Sequence, residues 1–209
     1  MNKSSCKICR RVGVKLFLKG EKCFSPKCPM VRKPYPPGPK GKRRPRGLSE
    51  YGKELKEKQK LKNWYNLEER QFKNYVKKVL GKRGKVEDTG ALLIKTLESR
   101  LDNVVFRLGF ASSRLAARQL VSHRHILVND RSVNIPSFLV KKGDTIKIHP
   151  SSLKKNIFQN LPQIIKKYKA SSWLSLDAKT LEGKVVALPN LEEAAPPAEV
   201  ASVFEFYSK

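Results

Sequence analysis

The sequence predicts an α+β protein whose first domain is mostly helical and whose second joins a helix pair to a small β-hairpin sheet. Three observations predict this class: four cysteines near the start, apolar residues at helical spacing, and short alternating segments separated by turn residues. We expect five segments: a cysteine module at 1–30, a basic proline-rich arm at 31–47, a helical part at 48–90, a helix-pair and hairpin module at 91–150, and a C-terminal segment at 151–209.

The net charge is strongly positive. The 209 residues include 45 Lys and Arg against 18 Asp and Glu, a formal charge of +27, and 27 of the basic residues lie within 1–90. Cations spread along helices and an arm are typical of a nucleic-acid-binding protein, because each neutralised phosphate releases counterions. A merely soluble basic surface and a membrane surface are the alternatives. A membrane surface would favour one amphipathic basic helix, and no run of about 18 apolar residues could span a bilayer.

The four cysteines predict a metal site. Cys6, Cys9, Cys23 and Cys28 are spaced Cys-x2-Cys-x13-Cys-x4-Cys. Two close thiol pairs can supply the four soft donors of tetrahedral zinc and leave no open position, so we expect one structural zinc ion. Two disulfides are an alternative for a secreted chain, but the first residues carry no export signal. An iron–sulfur cluster is another, although the usual closely spaced cysteine triplet is missing.

Residues 31–47 predict an extended arm, because five prolines fix the backbone and remove amide donors. The arm carries four closely spaced cations, Lys42, Arg43, Arg44 and Arg46. A simple linker does not need this charge density, so we expect the arm to contact nucleic acid.

Two helices are predicted in the rest of the first domain. The first spans 49–62, and the second starts at Asn66, where Glu69 completes an Asx version of a capping box. An apolar stripe from Phe72 to Leu80 recurs at i, i+3, i+4, which favours a core face over a base-stacking platform. The opposite face offers cations to phosphates, namely Arg70, Lys73, Lys77 and Lys78.

The second domain is predicted to begin after a glycine-rich joint at 81–90. Leucines and valines predict one helix from Leu93 to Gly109, and a second helix begins near Ser112 or Ser113. Arg114 and Arg118 are four residues apart and therefore share a face of that helix.

Turn residues then predict a small sheet. A hairpin is expected around Asn129-Asp130, which tolerate positive φ, and strands at 138–140 and 145–148 flank a turn at Gly143-Asp144. Beyond Pro150 we expect a basic helix interrupted by Pro162, strand-like segments at 185–188 and 203–207, and a return of the C-terminal segment to the first domain.

Residues 99–148 closely resemble the alpha-L type RNA-binding module of bacterial-type ribosomal small-subunit protein S-four. The matching words are Ser99-Arg-Leu-Asp102, Arg107-Leu-Gly-Phe-Ala-Ser-Ser-Arg114, Ala117-Arg-Gln-Leu-Val121, His125-Ile-Leu-Val-Asn129 and Ile135-Pro-Ser137. The resemblance covers nearly the whole chain, through the cysteine spacing of the zinc-binding form, Glu69-Arg-Gln-Phe72, Leu181-Glu-Gly-Lys184 and Val203-Phe-Glu-Phe-Tyr-Ser208. Arg124 and Asp130 depart from glycines that are common in the family, which puts the hairpin turn at Asp130 in question.

The resemblance implies a cytoplasmic constituent of the small ribosomal subunit. It implies primary binding of ribosomal RNA, early assembly of the 5′ domain, contact with neighbouring ribosomal proteins and an influence on decoding accuracy. A place near the messenger RNA entry channel and repression of its own operon are looser implications, and no small-molecule substrate is expected. The residues expected to contact RNA are Arg10, Arg11, Lys42, Arg43, Arg44, Arg46, Arg70, Lys73, Lys77, Arg107, Arg114, Arg118, His123, Arg124 and His125.

Two other functions compete with this interpretation. The same module occurs in RNA-modifying enzymes and other RNA-binding proteins, but an enzyme needs a catalytic domain for which the chain leaves little room. Asp102 and Asp144 are explained as helix and turn residues, and the three histidines form no catalytic constellation with Ser, Cys or Asp. A zinc-finger DNA regulator would need a base-reading helix within the cysteine module, where residues 12–18 favour a strand instead.

Overall fold

A computed structural model describes residues 5–38, 47–82 and 88–208. Four arm cations lie outside these ranges, namely Lys42, Arg43, Arg44 and Arg46. The chain divides into two compact units, a first unit of residues 1–90 with 196–209 and a second unit of residues 91–195. Among the described residues no helix is both long and apolar enough to cross a lipid bilayer.

The described part of the first unit is helical. Its helices before the second unit are α1 (Ser5–Val12), α2 (Glu21–Phe24), α3 (Pro29–Arg32), α4 (Glu50–Trp64) and α5 (Glu69–Leu80). Ser49 caps α4 by accepting a hydrogen bond from the Gly52 amide at 3.2 Å. The stretch predicted as strand-like, residues 12–18, forms no strand; it is the end of α1 followed by a loop.

The capping prediction for α5 is wrong. Glu68 is the N-cap of this helix, and Asn66 lies two residues earlier with a left-handed φ of 54°. The Asn66 amide donates to the Asn63 carbonyl, so this residue ends α4, a role that suits asparagine because its side chain tolerates positive φ. The predicted core stripe is confirmed, since Phe72, Val76 and Val79 are buried.

The second unit begins within α6 (Thr89–Glu98), which is followed by α7 (Leu101–Arg107) and α8 (Arg114–Ser122). The predicted single helix from Leu93 to Gly109 is therefore two helices. The break occurs because Arg100 is extended, forms a β-bridge with Leu139 and serves as the N-cap of α7. The predicted start of α8 is confirmed, with Ser113 accepting from the Ala116 amide at 3.3 Å.

The rest of the second unit builds a sheet flanked by short helices. Its elements are β1 (Ile126–Val128), β2 (Arg131–Ser132), β3 (Thr145–Ile148), α9 (Pro150–Leu153), α10 (Asn156–Gln159), α11 (Leu161–Lys167), β4 (Leu174–Asp177), β5 (Glu182–Val185) and α12 (Leu191–Ala194). The five strands are antiparallel in the order β2-β1-β3-β5-β4. The predicted hairpin is confirmed, since Asn129 and Asp130 have φ values of 49° and 62°. The strand predicted at 138–140 is only the single bridge at Leu139.

The expected boundary at residue 150 is too early. The sheet extends through β5, where Gly183 pairs with Ile146, and the buried core includes Phe158 and Trp173. Gly183 makes this possible, because a Cβ there would lie 2.4 Å from Leu108 Cδ1. Only residues 196–208 return to the first unit.

That return ends in α13 (Val200–Ser208), a helix where the sequence favoured a strand. Val203 is fully buried, and the rings of Tyr51 and Phe206 are 5.4 Å apart, so α13 packs against α4. Val203, Phe206 and Tyr207 are spaced three and four apart, which fits a buried helical face as well as the alternation that suggested a strand.

Candidate nucleic-acid interface

A buried carboxylate organises two of the predicted RNA-contact arginines. Glu98 is 1% exposed, and it accepts hydrogen bonds from Arg107 Nε at 3.0 Å and Arg107 Nη2 at 2.9 Å. Arg114 Nη2 lies 3.8 Å from the same carboxylate. Paired charges that satisfy one another inside a unit fix the angle between its helices and restrict what the guanidinium groups can reach.

The spacing between Arg114 and Arg118 predicted that both lie on one open helical face. For Arg114 this prediction is wrong. Arg114 is buried, its Nε donates to Asn103 Oδ1 at 2.7 Å, and its guanidinium carbon lies 4.7 Å from the centre of the Phe106 ring. Arg107 is half-buried and also donates to the Ala194 carbonyl. Both side chains therefore have structural partners, while Arg118 is half-buried on α8.

A second buried pair lies beside this network. Arg100 Nη2 is 2.6 Å from Asp102 Oδ2, and Asp102 Oδ1 accepts the Asn103 amide at 2.9 Å. Asp144 is likewise structural, accepting from the Lys141 amide and from Asn129 Nδ2. The interpretation of Asp102 and Asp144 as helix and turn residues is confirmed.

The end of α8 carries exposed polar side chains, one of several places where the second unit exposes cations. His123 and Arg124 are exposed, and Arg124 has a left-handed φ of 59° that carries the chain from α8 toward β1. His125 is buried, with Nδ1 at 2.9 Å from Ser152 Oγ. Burial lowers the pKa of His125, and electrostatic interactions with Lys155, His123 and His149 lower it further. His125 therefore favours the neutral form and supports the turn, whereas His123 and Arg124 can reach a polyanion.

The first unit presents a row of cations along α5. Arg70, Lys73 and Lys77 are exposed on the face opposite the buried stripe, as predicted. Near the cysteines, Arg11 is exposed, and Arg10 turns toward Tyr35, with Nε donating to the Tyr35 carbonyl at 2.9 Å.

An ion-pair cluster that the sequence did not predict joins α4, α5 and α13. Glu69 accepts from Lys58 at 2.7 Å, from Lys62 at 3.0 Å and from the Tyr207 hydroxyl at 2.8 Å. Burial alone would raise the pKa of Glu69, but these three hydrogen bonds outweigh it and lower the pKa to about 2. The cluster depends on the return of residues 196–208, which no local pattern around Glu69 indicates.

The four cysteines surround one cavity. Cys9, Cys23 and Cys28 are buried, Cys6 is half-buried, and all four line one small pocket of about 10 Å³ as free thiols. Burial raises the pKa of Cys9, and the other three thiols raise it further although a hydrogen bond involving the Leu16 backbone opposes them. Within the described ranges, no group of three or more His, Cys, Asp or Glu residues is arranged to hold a metal ion.

Comparisons with known proteins agree along nearly the whole chain. Residues 1–98 match the family model for the ribosomal protein S4/S9 N-terminal domain, and residues 99–146 match that for the S4 domain. The small ribosomal subunit protein uS4 of Thermus thermophilus is 48% identical over 204 residues, covering 98% of this chain and 96% of that protein. The protein of that name from Syntrophus aciditrophicus is 48% identical over 206 residues, and uS4A of Symbiobacterium thermophilum is 47% identical over 204. The Syntrophus alignment covers 99% of this chain and 97% of that protein, and the Symbiobacterium alignment covers 98% and 96%.

Proposed function

This chain belongs to the uS4 family of small ribosomal subunit proteins, and we propose that it is a structural, non-catalytic constituent of that subunit which binds its ribosomal RNA. The observation that carries the proposal is the similarity over 98% of the chain, because it includes both units and not only a widely shared RNA-binding module. The names of the relatives place those proteins in the small ribosomal subunit, and the expected location of this chain is the cytoplasmic ribosome.

We propose two RNA-contact surfaces, one on each unit. On the first unit, the exposed cations Arg11, Arg70, Lys73 and Lys77 would neutralise phosphates. On the second unit, Arg124 would do so, His123 would donate a hydrogen bond to a phosphate oxygen, and Arg118 would contribute from α8. A-form RNA has a major groove too deep and narrow for side chains to read, so contacts of this kind recognise backbone shape.

The remaining predicted residues contribute in other ways. Arg107 and Arg114 are supported better as positioning residues, because Glu98 and Asn103 hold them. His125 supports the turn through Ser152, and Arg10 packs against Tyr35. The arm cations at 42–46 remain predicted RNA contacts on the strength of their density.

The finer family roles are part of the proposal. These are early assembly of the 5′ domain, contact with neighbouring ribosomal proteins, an influence on decoding accuracy and a place near the messenger RNA entry channel. Their support is the family resemblance. The division of the chain into two basic units agrees with a protein that joins separate RNA helices.

We also propose one structural zinc ion in the cysteine module. The support is that the four thiols line a single cavity rather than scattering over the surface, and four thiolates are a donor set that zinc prefers. Zinc would supply folding energy to a segment too short to bury a core of its own. The cysteine side chains would hold it, and Lys19, whose amide donates to Cys23 Sγ at 3.3 Å, would orient one ligand.

Selective RNA binding tests the proposed function. The full chain is mixed at 100 mM salt with a transcript of its own small-subunit ribosomal RNA 5′ domain and, separately, with a large-subunit transcript of equal length. We expect at least about 100-fold tighter binding to the first transcript. Equal affinities would reduce the chain to a general polyanion binder and contradict the proposal.

A further inference from the structure

Two phenylalanines lie together on the surface of the cysteine module. Phe17 is 39% exposed and Phe24 is 75% exposed, and their ring centres are 4.9 Å apart with 30° between the ring planes. Single exposed apolar side chains are ordinary, but two adjacent aromatic rings form a flat apolar surface in an otherwise charged region. We refer to Phe17 and Phe24 as the aromatic pair.

The backbone holds the aromatic pair outward. Phe17 has a φ of 52°, a left-handed conformation that bulky residues rarely adopt and that is concentrated at functional positions. The loop around it is fixed, because Leu16 is buried and the Cys23 amide donates to the Gly20 carbonyl at 2.8 Å. Phe24 is the last residue of α2, so the same loop and helix set both rings. Burial does not explain this strained placement, since both rings remain in contact with solvent.

The segment that carries the aromatic pair is rich in lysine. Lys15 Nζ lies 5.3 Å from the centre of the Phe17 ring, and Lys19, Lys22 and Lys27 are exposed within the same short segment. Glu21 is the one acidic residue between positions 15 and 27. An aromatic surface with a positive rim matches a ligand that has both an apolar face and phosphates.

We propose that the aromatic pair stacks on an unpaired nucleobase of RNA while the lysines of the same segment hold the adjacent phosphates. The base must be unpaired, because the faces of paired bases are covered by their neighbours in a helix. Phenylalanine offers no hydrogen-bonding group, so the site accepts any base by its π face. This inference rests on the proposed function and names a subsite within it.

Affinity measurements on substituted full-length chains test the stacking. The probe is the small-subunit 5′-domain transcript. The variants are Phe24→Leu, which keeps apolar volume without the ring, and Phe24→Tyr, which keeps the ring. The matched control is Val31→Ser, an exposed apolar position on α3 of the same unit. Loss of one stacked base should weaken binding about tenfold in Phe24→Leu. Phe24→Tyr and Val31→Ser should stay within about twofold of the parent chain.

A second measurement needs no substitution. Ultraviolet irradiation of the parent complex should crosslink the peptide containing Phe17 or Phe24 to one nucleotide, and chemical probing should find that nucleotide protected. If neither the crosslink nor the protection is found, the inference is overturned even if Phe24→Leu fails to fold. A folded Phe24→Leu with parental affinity and protection overturns it as well.

Two further outcomes distinguish a failure of the stacking proposal from a failure of the proposed function. Normal RNA affinity combined with poor incorporation of Phe24→Leu into small subunits would mean that the aromatic pair meets a protein, which overturns the stacking proposal. If the parent chain fails to prefer the 5′-domain transcript, the proposed function fails. A Phe24-dependent crosslink to an unstructured 12-nucleotide oligouridine would then still support stacking.

Discussion

Replacing Glu98 by Gln should destabilise the second unit far more than an ordinary carboxylate-to-amide change. The substitution removes a buried charge that accepts two hydrogen bonds from Arg107 and one from Asn103 at 2.5 Å. Breaking a buried ion pair costs about 3–5 kcal/mol, and the lower end applies because glutamine keeps one oxygen acceptor. For a unit of roughly 100 residues, each kcal/mol of lost unfolding free energy lowers the melting temperature by about 4–8 °C. A loss of about 3 kcal/mol should therefore lower it by about 12–24 °C.

Tryptophan fluorescence can follow this unit alone. The chain has two tryptophans, Trp64 in the first unit and buried Trp173 in the second, so a Trp64→Phe background leaves a single reporter. The matched control is Glu192→Gln, an exposed carboxylate on α12, which should change stability by no more than about 0.5 kcal/mol. Equal shifts for Glu98→Gln and Glu192→Gln would refute the reasoning that the buried network holds the helices.

Three further predictions concern the other sites. Tyr207→Phe removes the hydroxyl that Glu69 accepts at 2.8 Å, so urea unfolding should show a loss of about 1 kcal/mol in the first unit; no change would mean that the bond is not formed in solution. Because the pKa of Glu69 is lowered to about 2, its ionised form stabilises the fold at pH values above the ordinary carboxylate pKa, and this stabilisation is lost as pH falls from about 4.5 toward 2. Glu69→Gln should flatten this pH dependence in unfolding titrations. Parallel pH profiles for the two chains would contradict the prediction. Elemental analysis should find one zinc ion per chain, chelation should expose residues 5–38 to protease, and Cys9→Ser should have the same effect; protease resistance without metal would rule the zinc proposal out.

Local patterns predicted those elements whose signals are local. Asn129-Asp130 indicated the hairpin because its backbone requirement lies in two adjacent residues, and Phe72 to Leu80 indicated a buried face because helical spacing repeats within one segment. The break at Ser99-Arg100 was missed because the apolar spacing continues unchanged from Leu97 to Leu101. The helical form of Val200–Ser208 was missed because short aromatic segments satisfy both periods.

The positive charge of the candidate interface was predictable from the sequence, but which of its arginine side chains are buried was not. Periodicity places Arg114 and Arg118 on one face, but it does not show that Glu98 and Asn103 draw Arg114 into the interior. The extension of the sheet by β5 depends on Gly183 lying against Leu108, a contact between residues 75 positions apart. Long-range contacts of this kind have no signature in a single segment.

Identification of the RNA bound by the chain in its own cells tests the central claim most directly. Ultraviolet crosslinking of the full-length chain, followed by stringent purification and sequencing, reports the RNA partners without assuming a binding site. We expect small-subunit ribosomal RNA to dominate, with crosslinks concentrated in the 5′ domain. Dominance of transfer RNA or of large-subunit RNA would contradict the account.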